Sequence, residues 1–171
     1  MNTATIPLRH TGVLVLLGAG ALFSHPALAQ DGNRSCVQLR NDVLMEQKFV
    51  GADGRAAVRE VSPAKVIPGT VMVYTITAHN ACTSVSEHLA ITNPVPDHMQ
   101  LVGGSATHDV AEPLFALDAT HFDRLEVLAA LEPDGSSRPA RSEDIRSIRW
   151  TLAQGLAAGQ SVSVHFRATV Q

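Results

Sequence analysis

The chain has 171 residues, with 13 lysines and arginines against 16 aspartates and glutamates and a net charge of −3. This balance excludes the ordinary nucleic-acid binder, which turns a basic face to phosphate. Hydrophobic residues make up 45% and aromatic residues only 4%, so the chain can fill a core but has few rings to spare for a surface stacking platform.

Residues 1–29 read as a secretory signal peptide. Met1 to His10 is polar with Arg9 as its fixed positive charge, and Thr11 to Phe23 is almost wholly apolar. Ala27 and Ala29 then stand at the small-residue positions that an exporting peptidase reads. The apolar run falls short of the roughly 20 residues a spanning helix needs, and no second run is longer. The expectation is a mature chain, residues 30–171, that is exported to the periplasm or the cell exterior. It would carry no transmembrane segment and form one domain.

Extended runs at Val37–Val50 and Arg55–Val61 flank Gly51-Ala52-Asp53-Gly54, a hairpin turn. Pro68-Gly69 suits a type II turn and launches Val71–Asn80. There Met72, Tyr74, Ile76 and Ala78 form an apolar face, and Val71, Val73, Thr75, Thr77 and His79 a mixed one. Leu89 and Ile91 alternate with His88, Ala90 and Thr92, and Asn93–Asp97, with two prolines, is expected to break that ladder. Met99–Val102 is a short strand. Leu125, Val127, Ala129 and Leu131 mark the inner face of another, or of a short helix, with Leu128 out of phase. Glu132–Ala140 reads as a polar connection, and Ser142–Ile145 as one helical turn capped by Ser142. Ile148, Trp150 and Leu152 alternate with Ser147, Arg149 and Thr151. Ser161–Val170 alternates most cleanly, with Val162, Val164, Phe166, Ala168 and Val170 on one side.

About seven to eight short strands, regularly punctuated by turns, predict an all-β antiparallel sandwich. Tyr74, Ile76, Leu89, Ile91, Trp150, Val164 and Phe166 should face inward together, with Tyr74, Trp150 and Phe166 as aromatic anchors.

Three stretches carry a family resemblance: "PGTVMVYTITAHN", "LAITNPVPDHMQLVGGSA" and "IRWTLAQGLAAGQSVSVHFRATV". The Pro-Gly turn, the Y-T-I-x-x-x-N strand, the Asn-Pro-x-Pro link, the Gly-Ser step and the closing L-x-x-G-x-S-V strand resemble the bacterial conserved-repeat domain, called domain of unknown function 11. The similarity runs roughly from Pro63 to Gln171. "RPARSEDIRSIRW" further resembles a single-domain, signal-bearing subgroup, although "LDATHFD" stands where that subgroup carries an Asp-Gly-Gly turn. The resemblance implies an immunoglobulin-like sandwich on an exported or cell-surface protein, and it brings no catalytic residues.

Chemistry-bearing residues are dispersed. Of His79, His88, His98, His108, His121 and His165, no two are spaced as a local metal-ligand pair. His88, His98 and His108, near expected strand ends, are the weak candidates for a converging site; scattered surface imidazoles are the plainer reading. Asp118 with Asp123, and Glu132 with Asp134, offer oxygen ligands for calcium without an EF-hand pattern, and turn chemistry explains them as well. Lys48 and Lys65 are the only lysines. With Asn80 or Asn93 they are the available partners for an isopeptide link, and solvated amines are the simpler account. There is neither G-x-S-x-G nor C-x-x-C.

Cys36 and Cys82 are the only cysteines. An exported chain meets an oxidising compartment, which favours a disulfide between them. Antiparallel neighbouring strands would bring the pair together; an intervening reversal at the hairpin would separate them, leaving free thiols or an intermolecular bond. The function expected is a non-enzymatic structural or protein-interaction module without a cofactor. Its partner would be a protein or a cell-envelope component met through a sheet face, a loop tip or an edge strand. The alternative is a small periplasmic metal-binding protein using the histidines.

Overall fold

The computed structural model describes residues 36–107 and 109–171; the expected signal peptide and His108 lie outside the described residues. The strands are β1 (Val37–Val50), β2 (Ala56–Val61), β3 (Val71–Asn80), β4 (Ala90–Pro94), β5 (Met99–Leu101), β6 (Pro113–Ala116), β7 (Ala129–Leu131), β8 (Ser137–Pro139), β9 (Ser147–Thr151) and β10 (Ser161–Val170). Among the described residues no helix is long and apolar enough to cross a membrane.

All the pairings are antiparallel. One sheet runs β2-β1-β3-β10-β5, a second β4-β9-β6, and β7-β8 is a separate two-stranded ribbon. The two larger sheets form the sandwich, in line with the sequence expectation. If β2, β7 and β8 are set aside and the rest lettered A to G in chain order, the layers read A-B-G-D and C-F-E. An immunoglobulin constant domain has A-B-E-D and C-F-G. The four-on-three layout is therefore immunoglobulin-like, with the fifth and seventh strands exchanged.

The core follows the alternation. Ile76 and Ala78 on β3, Val164, Phe166 and Ala168 on β10 and Leu101 on β5 face Ile91 on β4 and Ile148 and Trp150 on β9, all buried. Tyr74 is half-buried and stacks on Phe166 with ring centroids 4.9 Å apart, while Trp150 lies 6.5 Å from the same ring across the sandwich. Burial of each such large side chain stabilises by about 1.5–3 kcal/mol. Burial also pushes the Tyr74 hydroxyl pKa up.

Four local readings need correction. The Asn93-Pro94 step does not break its ladder: both residues pair with β9, and Pro94, whose missing N–H matters least at a strand end, closes β4. Leu125–Val127 is a turn, closed by Val127 N–H on Arg124 O, so only Ala129–Leu131 is strand. Leu125 turns inward as expected, but from Val127 on the phase is reversed: Leu128 and Ala130 turn to the interior, whereas Leu131 is 81% exposed. The polar connection after it contains β8, because Gly135 (φ 84°) folds Glu132–Ser136 into a hairpin turn. Finally, Arg141, not Ser142, caps the 3-10 turn at Ser142–Asp144; its N–H donates to the Asp144 carboxylate at 2.8 Å.

Candidate interaction surface

The ends of the sandwich are fixed by a small set of bonds. Asn80, fully buried at the end of β3, donates through Nδ2 to Ser84 O (2.9 Å) and Leu156 O (2.7 Å). Its Oδ1 accepts from the Cys82 N–H at 3.0 Å. Beside it β1 begins, with Val37 opposite Asn80. This register places Cys36 and Cys82 with Cα atoms 5.1 Å apart and their sulfurs at bonding distance. The hairpin does not intervene, because it sits at the far end of β1.

That far end is the most unusual part of the surface. β1 has 14 residues and pairs with β3 only as far as Met45, while its distal part, Met45–Val50, pairs with β2. The β1–β2 hairpin therefore projects past the start of β3 as an arm. Its tip is turned by Gly54 (φ 77°), with Gly51 N–H donating to Arg55 O and the Asp53 carboxylate accepting from Arg55 N–H.

The phase of the arm's backbone follows from two hydrogen bonds. Gly51 N–H on Arg55 O means that odd-numbered β1 residues exchange bonds with β2, and Ala81 N–H on Cys36 O means that even-numbered ones face β3. The register leaves only Val71 of β3 past Met45, opposite Glu46, and no β3 residue stands opposite Lys48 or Val50. Lys48 and Val50 thus turn N–H and C=O groups toward an edge that no described strand occupies.

One face of the arm carries Gln47, Phe49, Ala57 and Arg59. There Arg59 lies 5.2 Å from the Phe49 ring centroid and donates to Gln47 Oε1. The other face carries Glu46, Lys48, Val50, Ala56, Val58 and Glu60, with Val50 72% exposed. At the arm's root a groove of about 370 Å³ lies between β1 and the 65–71 segment. Lys48 and Lys65 both line it, with Glu46 and Ile67. Glu46 is held by Arg167 at 2.7 Å, across β3 and above the buried Val73. Neither lysine has an ion-pair partner among the described residues.

The sequence candidates fall elsewhere. His88 and His98 lie beyond opposite ends of β4, both with positive φ (53° and 60°), and are not brought together. Among the described residues no group of three acidic, histidine or cysteine side chains is arranged to hold a metal. The carboxylates considered for calcium are engaged by their own turns. Asp118 accepts from His121 Nδ1 and from the N–H groups of His121 and Thr120, each at 2.8 Å. These bonds, the His121 side chain foremost, hold its carboxyl well below the usual range. Asp134 is lowered by its bond from the Ser136 hydroxyl, and Glu132 pairs with Arg138. Asn80, with its amide fully committed, stands at the opposite end of β3 from Lys65, so that isopeptide pair is not formed. Asn93 donates to Pro94 O.

Among the described residues one serine–histidine hydrogen bond is formed: His79 Nδ1 and Ser161 Oγ are 3.0 Å apart. It is a cross-strand pair on the outer face of the large sheet, with Gln38 opposite His79 on the third strand. In a hydrolytic triad a carboxylate would orient that ring.

The arm was only partly visible in the sequence. The hairpin turn and the two lone lysines could be read there; their convergence at one groove depends on where β1 leaves β3. Compared with family models, with curated proteins and with solved structures, the chain finds no match.

Proposed function

We propose that the protein is an exported, non-enzymatic interaction module of the periplasm or cell surface, and that the β1–β2 arm is the part that meets its partner. The observation that carries this reading is the overhang of β1 past β3, which leaves strand edge and apolar side chains outside the sandwich. Exposed edges template pairing with other chains and are usually blunted. Here no described strand or helix covers the edge, and it is flanked by the exposed Phe49, Val50, Val58 and Ile67. Export is supported by the signal-like residues 1–29 and by a Cys36–Cys82 pair at disulfide distance, a bond rare in reducing compartments. The motif resemblance to the bacterial conserved-repeat domain points the same way.

Site-specific photo-crosslinking in the producing cell tests the reading. A photoreactive residue at Val50 or Val58 should yield a discrete adduct, and one at Ser163, on the opposite part of the same sheet, should not. Equal labelling from all three positions, or none from the arm, would remove the arm from the proposal.

A further inference from the structure

We propose that the groove at the root of the arm receives an extended acidic peptide segment of a partner protein, which adds as a strand to the edge of β1 that no described strand occupies. This deepens the reading above and rests on it. Two independent features meet at one place. The first is the backbone edge: Lys48 and Val50 present N–H and C=O groups on the side where β3 has ended. The second is charge. The chain's only two lysines both line this groove, and neither is neutralised by a described carboxylate. Glu46, the one carboxylate in the lining, already faces Arg167.

The pleat sets the side chains the peptide must carry. A residue directly opposite Lys48 lies on the face of Lys48 and Val50 and meets an ammonium, so it is acidic. Two positions along, opposite Val50, an apolar side chain is favoured. The residue between them falls on the other face, opposite Phe49, and is apolar as well. Lys65, from the far wall of the groove, meets a second carboxylate toward the root. Main-chain bonds supply the affinity, and the two ammonium groups select against basic or neutral strands.

The test uses the full exported chain and a capped, fluorescent ten-residue peptide with the central run Val-Val-Glu-Glu, which antiparallel to β1 sets the valines opposite Val50 and Phe49 and the glutamates opposite Lys48 and toward the root, with glutamine or lysine replacing the glutamates in the controls. The glutamate peptide should bind, and it should slow amide hydrogen exchange at Lys48 and Val50 but not at Val58 and Glu60, on the opposite edge of the arm. Reversing both charges, Lys48→Glu with Lys65→Glu, should weaken it about tenfold and transfer preference to the lysine peptide. Val50→Pro removes an N–H that makes no ladder bond, at a strand end where proline is tolerated, and should weaken binding with the fold intact by circular dichroism. Three results would each overturn the inference: no binding of the glutamate peptide at millimolar concentration, binding indifferent to the double reversal, or protection confined to β2. Photo-crosslinks from the arm without peptide binding would leave the interaction reading standing and dispose of this one alone.

Discussion

The indole N–H of Trp150, on β9, donates to the backbone oxygen of Thr107 at 2.9 Å, and Thr107 is itself tied to β10. Its N–H and hydroxyl both reach His165 O, and its hydroxyl accepts from the His165 N–H at 2.7 Å. Trp150 thus links the two sheets by a polar bond as well as by packing on Phe166. Trp150→Ala should cost about 3–5 kcal/mol in urea denaturation. Trp150→Phe keeps most of the apolar contact but leaves the Thr107 carbonyl without its donor, and should cost about 1–3 kcal/mol. A loss below about 1 kcal/mol for the alanine variant would be incompatible with this residue's place in the core.

The Cys36–Cys82 bond closes a loop with a sequence separation of 46. In the chain-entropy account such a closure stabilises by about 4 kcal/mol, chiefly by restricting the unfolded chain. Replacing both cysteines by serine should lower the urea midpoint by a matching amount and leave the strand signal in circular dichroism unchanged. Alkylation of the unreduced, natively produced protein followed by intact-mass measurement should add no label. Two labels on the monomer would show free thiols instead.

Acid should loosen the β7–β8 ribbon before the sandwich. Arg138, on β8, holds Asp144 through two bonds of 2.6 and 2.9 Å and also pairs with Glu132. The Arg138 bonds, assisted by Arg141 N–H, lower the Asp144 carboxyl to about 2. A carboxylate whose folded pKa is depressed contributes stability that is complete above its unfolded value, near 4. That contribution disappears as pH falls through about 2. Hydrogen exchange of Ala130 and Arg138 amides should therefore accelerate between pH 4 and pH 2 relative to β3 amides. In Asp144→Asn that acid-dependent difference should be gone, and the ribbon should exchange fast throughout.

β3 and β10 were legible because each has one face in the core. β3 and β10 show period two over ten residues, and the structure buries the faces their alternation marks. Val73 is the exception, buried on the outer face because Arg167 and Glu46 reach over it, a relation between three strands that no local pattern encodes. β6, β7 and β8 have three or four residues each, too few for a period to show. Around Leu128 two phases were equally hydrophobic, and a turn at Arg124–Val127 decided between them. The hairpin turn at Gly51–Gly54 was readable, but whether β1 pairs with β3 along all its length or only as far as Met45 depends on register. The groove between Lys48 and Lys65 exists only because the second holds.

Asn80 offers the sharpest test of the sandwich's closed end. Its amide gives both hydrogens to carbonyl oxygens, Ser84 O and Leu156 O, and takes one from Cys82 N–H. Asn80→Ala would leave those groups unpaired and cost about 1–3 kcal/mol. Asn80→Asp has the same shape but replaces two donors by an oxygen aimed at carbonyls in a site with no solvent exposure. At neutral pH it should be the worse variant, by the 3–5 kcal/mol typical of an unpaired buried charge, roughly. Burial and the facing carbonyls raise the folded pKa of this carboxyl above its unfolded value, near 4. The sign is therefore opposite to that of Asp144: the variant is best tolerated below about pH 4, where the protonated acid can donate one bond, and loses stability as pH rises through the raised folded pKa. Urea denaturation of both variants and the parent at pH 4 and pH 7 measures this. The aspartate penalty relative to the parent should shrink at the lower pH, and the alanine penalty should stay constant. An aspartate penalty that does not change with pH would mean that the side chain escapes to water and that Asn80 does not close the fold as described.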